Sequence, residues 1–168
     1  MNRIGDYGLL KNRIVEWIKN YAESNGIKSL VVGVSGGIDS AVTSTLAAET
    51  GLMTYCIGMP LLQKKEQESL SDIHLDWLGD TYWDTKTEKF DLSNLFEVFR
   101  YTMRGYSKDD LALANSRSRL RMVTLYQVAQ SVGGIVVGTG NKVEDYGIGF
   151  YTKYGDGGVD IAPIADLY

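Results

Sequence analysis

The stretch Leu30-Val31-Val32-Gly33-Val34-Ser35-Gly36-Gly37-Ile38-Asp39-Ser40 decides the fold. Its first five residues are a short apolar run, as a buried strand requires, and the glycine pair that follows ends the run. Adjacent glycines let the backbone turn tightly and approach an anion closely. The following Ser40-Ala41-Val42-Thr43 can open a helix whose N-terminal dipole favours the same anion. Strand, glycine loop and helix in that order make a phosphate cradle. It is not the lysine-bearing phosphate loop, because Asp39-Ser40 stands where a lysine followed by Ser or Thr would reach the β and γ phosphates. A carboxylate beside a polyphosphate calls for a cation between them. Asp39 therefore points to Mg²⁺, a hard ion that takes one or two carboxylates and keeps phosphate oxygens among its ligands. Taken alone, the loop is also compatible with a plain glycine turn and a Ser or Asp helix cap.

Outward from this loop, elements alternate. Leu9, Leu10, Arg13, Ile14, Trp17, Ile18 and Tyr21 recur at helical spacing and predict a first amphipathic helix that ends near Gly26. Strands are predicted over residues 30–34 and 54–59, with a helix over 40–50 between them, which is a βαβ unit and normally right-handed. A charged amphipathic helix over 64–78, a third strand over 81–85 and a helix over 91–103 with an Asp or Ser cap come next. A long helix over 108–131 carries Arg117, Arg119 and Arg121. Gly133-Gly134 breaks it, and residues 135–138 supply a fourth buried strand. Residues 139–168 are rich in glycine and read as largely irregular. The alternation predicts an α/β fold, an open, mainly parallel Rossmann-like sheet flanked by helices on both faces, with ligands bound beyond the carboxyl ends of its strands. If the strands before residues 35–40 and 139–144 are neighbours, Asp39 and Glu144 meet as ligands of one Mg²⁺.

Composition narrows the classes. The chain of 168 residues fits one domain, 1–168, and can bury about 70% of its unfolded surface. One Cys and one His cannot build a zinc site, and the lone Cys56 in an apolar run reads as a buried residue in a reducing compartment. A net charge of −4 gives no polybasic footprint for nucleic acid. No signal peptide and no apolar run near the ~20 residues of a membrane span is present, so a cytoplasmic location is expected. His74 lies alone on a charged helix and reads as a surface residue. The 11 tyrosines read as half-buried core and interface residues.

The loop 35–40 resembles the SGGxDS signature of the PP-loop ATP pyrophosphatases, which form adenylates by cleaving ATP between its α and β phosphates. More specific are Asn115-Ser116-Arg117-Ser118-Arg119-Leu120-Arg121-Met122, then Gly138-Thr139-Gly140-Asn141-Lys142-Val143-Glu144, then Thr152-Lys153-Tyr154-Gly155-Asp156-Gly157-Gly158-Val159-Asp160. In that order they are similar to the ammonia-dependent NAD⁺ synthetases, from about residue 30 to the C-terminus. The resemblance implies an adenine nucleotide alpha hydrolase-like fold and amidation of deamido-NAD⁺ to NAD⁺ with ATP and ammonia. It implies that Gly33, Val34, Ser35, Gly36, Gly37, Ile38, Asp39 and Ser40 hold ATP, with Met59 near adenine and Thr139 also on ATP. Asp39 and Glu144 would ligate Mg²⁺, and Arg119, Lys153 and Asp160 would bind deamido-NAD⁺. Asp39 and Lys153 are the catalytic candidates. The chain departs from the usual pattern in having Arg117 and in one extra residue between Glu144 and Thr152, which leaves Asp145 open as the ligand in place of Glu144. Family members also continue well past the position of Tyr168, with a further lysine for ATP, a mobile loop over the site and a C-terminal helical stretch.

In the implied reaction the substrate carboxylate attacks the α phosphate, pyrophosphate leaves, and ammonia attacks the resulting acyl-adenylate. The protein's work is alignment and charge cancellation, so no Ser-His-Asp set is required. With 29 residues before Leu30, and Cys56 in the wrong context for an amidotransferase nucleophile, free ammonia is the expected donor. A homodimer is implied, with the helix around Met122, Leu125 and Tyr126 as a candidate interface. The alternatives are another PP-loop adenylating enzyme, GMP synthetase-like or tRNA-modifying, and a non-catalytic ATP-binding module.

Overall fold

The apolar run before the glycine pair becomes a central strand. In the computed structural model, which describes residues 5–62 and 65–168, Ser29–Val34 forms β1, Met53–Gly58 β2, Thr85–Lys89 β3 and Gly134–Val137 β4. All pairings are parallel, in the order β3-β2-β1-β4. Val32 lies opposite Cys56 on one side and Val137 on the other.

Helices cover both faces, which is why the strand cores read as unbroken apolar runs. They are α1 (Tyr7–Ser24), α2 (Ile38–Ala48), α3 (Lys65–Thr81), α4 (Ser93–Thr102) and α5 (Asp110–Val132). Because side chains alternate along a strand, Leu30, Val32, Ile135 and Val137 pack against Ile18 of α1 and Leu46 of α2. Val31, Ile57 and Val136 face the other way, onto Phe96 of α4 and Met122, Leu125 and Ala129 of α5. Val34 and Cys56 join Leu75 and Leu78 to seat α3. The helix around Met122, Leu125 and Tyr126 divides between core and surface: Met122 and Leu125 are core residues, 7% and 6% exposed, whereas Val123 and Tyr126 point outward.

Caps place the ends. Asp6 Oδ1 accepts from the Leu9 N–H at 3.0 Å to start α1, and Asp109 Oδ1 accepts from Leu111 and Ala112 at 2.9 and 3.1 Å to start α5. Gly133, with φ +63°, ends α5 in the left-handed conformation. The helix start expected at 40 moves to Ile38 because Gly37 serves as its cap. Asp91 accepts from Ser93 N at 2.8 Å, but Leu92 holds the cap position of α4 and no side chain caps it.

The expected position of the third strand fails. The third strand is not at 81–85 but at Thr85–Lys89, because α3 runs on to Thr81 and the Tyr82 N–H still bonds back to Leu78. The aromatic pair that suggested a strand includes Trp83, 92% exposed. The true strand is polar because it is an edge, with β2 as its single neighbour. Residue 64, in the helix expected over 64–78, lies outside the described residues. Residues 139–168 are largely irregular, as expected, but they are anchored. Gly138 N donates to Ile161 O at 2.7 Å, Ile161 and Ile164 are buried, and Val143–Ile148 makes one π-helical turn. Such turns gather at functional sites. No helix among the described residues is long and apolar enough to cross a membrane.

Candidate functional site

The chain passes from β1 outward to β2 and β3, then returns to the far side of β1 for β4. The β1–β4 boundary is therefore the topological switch point, where loops leave neighbouring carboxyl ends in opposite directions and open a crevice. A cavity of about 610 Å³ lies there, lined by Gly33, Val34 and Ser35, by Met59 after β2, by Thr139 after β4 and by Arg121 of α5. That is the size of a small-molecule site.

The glycine loop is held shut by its own serines. Ser40 Oγ accepts from Ser35 N at 3.1 Å and donates to Gly37 O at 2.8 Å, while Ser35 Oγ accepts from Gly37 N at 3.2 Å. Gly36 takes φ +86°, a conformation that a side chain would strain. No side chain caps α2, so the backbone N–H groups of its first turn are left for an anion.

Glu144, in the turn after β4, lies within electrostatic reach of Asp39 in this loop. Asn141 Oδ1 accepts from Val143 N and Glu144 N at 2.9 and 3.0 Å, fixing the start of the π turn. Asp145 packs its carboxylate against Gly140 in space that a Cβ there would occupy. Burial raises the Glu144 carboxyl pKa, and the charges of Asp39, Asp145 and Asp156 raise it further; burial and Asp156 do the same to Asp145. Asp39 and Glu144 thus lie within electrostatic reach, with mutual repulsion that a cation relieves. Among the described residues no three His, Cys, Asp or Glu side chains make a metal site unaided. The donor set suits a hard ion whose remaining ligands are phosphate oxygens and water.

Arg119, Lys153 and Asp160 do not line the cavity. They lie on the exposed side of the loop whose Tyr151, Thr152, Asp156 and Val159 form a cavity wall. Arg119 Nε donates to Lys153 O at 3.0 Å, and Lys153 Nζ stands 5.0 Å from the Tyr154 ring centroid. Asp160 anchors the loop: its carboxylate accepts from Val136 N at 2.7 Å and from Tyr126 Oη at 3.2 Å. Burial and the Asp160 charge push the Tyr126 phenol up to about 12. A surface hollow of about 480 Å³, lined in part by Tyr126, Gln127 and Tyr154, adjoins them. The three arginines separate as helical spacing requires. Arg117 lies 5.6 Å from the Phe96 ring and Arg121 Nε donates to Met59 O at 3.1 Å, while Arg119 takes another side. Burial, then the Arg117 charge, lowers the Arg121 pKa.

Asp156 and Arg121 also shape the site, with no role legible in the sequence. Asp156 accepts from Ser118 Oγ at 2.5 Å and from Thr152 N at 3.1 Å, tying the last loop to α5. Arg121 pins Met59. Neither role is visible without the tertiary contact. His74 is not the isolated surface residue expected. It is half-buried, with Nε2 2.8 Å from Ser44 Oγ and its ring stacked on Trp77 at 5.4 Å, because α3 lies against α2. Cys56 is fully buried and its thiol is pushed up to about 12, which makes it inert.

A parallel sheet flanked by helices, with a lysine-free glycine loop and a cavity at its switch point, defines an α/β protein of the open, Rossmann-like class. The NAD synthase family profile matches residues 10–168, and the chain belongs to that family. It is 38% identical over 168 residues to an NH₃-dependent NAD⁺ synthetase of Methanosarcina acetivorans, covering 97% of this chain and 63% of the relative. A namesake from Saccharolobus solfataricus is 39% identical over 168 residues, with 97% and 57% covered. The chain therefore spans about three-fifths of the length of these relatives. Among solved structures, an NMN synthetase from Francisella tularensis superposes with a TM-score of 0.89 at 30% identity, covering 98% of this chain and 66% of that one.

Proposed function

We propose that this chain carries the ATP and acid-binding core of an ammonia-dependent NAD⁺ synthetase, a ligase that converts deamido-NAD⁺ to NAD⁺ with release of AMP and pyrophosphate. The observation that carries the proposal is the uncapped glycine loop at the switch point, beside a cavity of small-molecule size, in a member of this family. Residues 33–40 hold the ATP phosphates through backbone N–H groups, with Met59 and Thr139 lining the nucleotide's cavity. Asp39 and Glu144 hold Mg²⁺, which supplies charge neutralisation on the phosphates. Arg119, Lys153 and Asp160 hold the dinucleotide acid, with Lys153 as the residue that steadies its carboxylate. The carboxylate oxygen bonds to that phosphorus and pyrophosphate departs. Ammonia then attacks the acyl carbon, AMP leaves, and one proton is shed to solvent. No protein nucleophile takes part.

The chain works as one folded unit, in the cytoplasm and as a homodimer. The exposed face of α5 at Val123 and Tyr126 supports the last of these. Similarity to an NMN synthetase favours one further reading, in which the acid is the corresponding mononucleotide. Incubation of the chain with MgATP, ammonium and either deamido-NAD⁺ or nicotinate mononucleotide separates the two. Formation of NAD⁺ from the first is expected, NMN from the second would reassign the substrate, and neither amide would overturn the ligase assignment.

A further inference from the structure

Helix α3 grips the phosphate loop at two points. Ser71 and His74 lie three residues apart and so share one face of α3. Ser71 Oγ, buried, donates to the carbonyl of Val34 at 2.8 Å, the last residue of β1. His74 Nε2 lies 2.8 Å from Ser44 Oγ in the second turn of α2. Ser44 is fully buried, and its hydroxyl has one proton to give. Its nearest acceptor is the Ser40 carbonyl at 2.7 Å, with Ala41 O at 3.1 Å. If the proton goes to Ser40, the Ser44 oxygen is left to accept from His74. Ser40 in turn closes the glycine loop through Ser35 and Gly37. The contacts therefore run from the imidazole through Ser44 to the Ser40 main-chain carbonyl, and Ser40 itself, through its Oγ, joins them to the anion-binding turn. The ring stacks on Trp77, and its burial lowers the pKa and favours the neutral form, against a bond to the Ala41 main chain that raises it.

We propose that His74, as the Nε2–H tautomer, is a positioning residue that fixes the first turn of α2 for a bound polyphosphate by donating to Ser44. This rests on the ATP-binding reading above. It assigns a role to the single histidine of the chain, which touches neither substrate nor metal in that reading.

The test compares MgATP affinity, by calorimetry, in the wild-type chain and in His74→Phe, His74→Gln and Ser44→Ala, with melting temperatures measured alongside. His74→Phe keeps the stack on Trp77 but loses the donor, and Ser44→Ala loses the acceptor. Each is expected to weaken MgATP binding about five-fold, and the two losses are expected not to add when combined. Glutamine can place an amide N–H near the Nε2 position and is expected to restore most of the affinity, which loss of packing alone would not explain. Because there is one histidine, ¹⁵N NMR reads its tautomer in the wild-type protein without ambiguity. An Nδ1–H tautomer, or unchanged MgATP affinity in folded His74→Phe, would overturn the proposal. Should His74→Phe not fold, Ser44→Ala and the wild-type tautomer decide by the same criteria. A wild-type chain that fails to bind MgATP would overturn the proposed function and this role with it, whereas normal wild-type binding with unaffected variants overturns the positioning role alone.

Discussion

At Glu144, acidic neighbours crowd one carboxyl. Glu144 has its pKa raised by burial and then by Asp39 and Asp145. A carboxyl whose folded pKa lies above its unfolded value binds its proton more tightly in the folded state. Its contribution therefore favours folding at low pH and is lost as pH rises through the raised pKa. Asp39→Asn removes one of the repelling charges. Without Mg²⁺, this variant is expected to melt no lower than wild type at pH 7.5, with any gain vanishing at acid pH; thermal scans across pH check it, and a marked drop at pH 7.5 would contradict it. In the assay with MgATP the same substitution, and Glu144→Gln, are each expected to reduce turnover about 100-fold or more. Gly140 belongs to the same cluster, since a methyl group there meets the Asp145 carboxylate. Gly140→Ala is expected to displace the π turn and weaken Mg²⁺-dependent ATP binding about ten-fold, as read by calorimetry. The pattern SGGxDS made Asp39 legible from sequence, because a carboxylate standing where a phosphate loop carries lysine repels the phosphates unless a cation lies between them. Asp156 was not legible: its meaning lies in Ser118 and Thr152, 38 and 4 residues away.

At the scale of elements, local signals carried most of the topology. The apolar runs at β1, β2 and β4 and the glycine at the end of α5 declared themselves because both sheet faces are covered. β3 escaped for the opposite reason. An edge strand with Thr, Lys and Glu at its positions has no apolar period to read, and the neighbouring Tyr82-Trp83 offered a false one. The last thirty or so residues are largely irregular, as their glycines foretold, but their anchoring was not legible because it comes through bonds to β4 and the residue after it, such as Gly138 N to Ile161 O. α5 is the element on which the site depends most, since it carries Ser118, Arg119 and Arg121 and packs on the sheet through Leu125 and Ala129. Its start rests on the two bonds accepted by Asp109. Asp109→Ala is expected to cost about 1 kcal/mol of stability, seen as a melting-temperature decrease of about 2–4 °C, with little effect on chemistry in molecules that remain folded.

For the whole molecule, the division of the site is the principal feature. The large cavity lies at the switch point, and Arg119 and Lys153 are exposed residues that do not line it. Under the proposed function, one loop would separate the two anionic substrates. The outer hollow, with Tyr126 and Tyr154 in its lining, lies on the face proposed for dimer contact. Val123, 66% exposed on that face, is the residue to test it. Val123→Glu is expected to convert a dimer to monomer in sedimentation velocity without lowering the melting temperature of the monomer fold, and a wild-type chain that sediments as a monomer would contradict the proposed assembly. None of this division was readable along the chain, because the segments at 115–122 and 152–160 acquire their inner and outer sides only when the loop packs on α5.

The central claim is that the switch-point site directs attack on ATP at its α phosphorus. The most direct measurement is the identity of the nucleotide products when the wild-type chain turns over MgATP with deamido-NAD⁺ and ammonium. AMP and pyrophosphate in equal amounts, each matching the NAD⁺ formed, are predicted. ADP and inorganic phosphate, or amide formed without AMP, would contradict that claim.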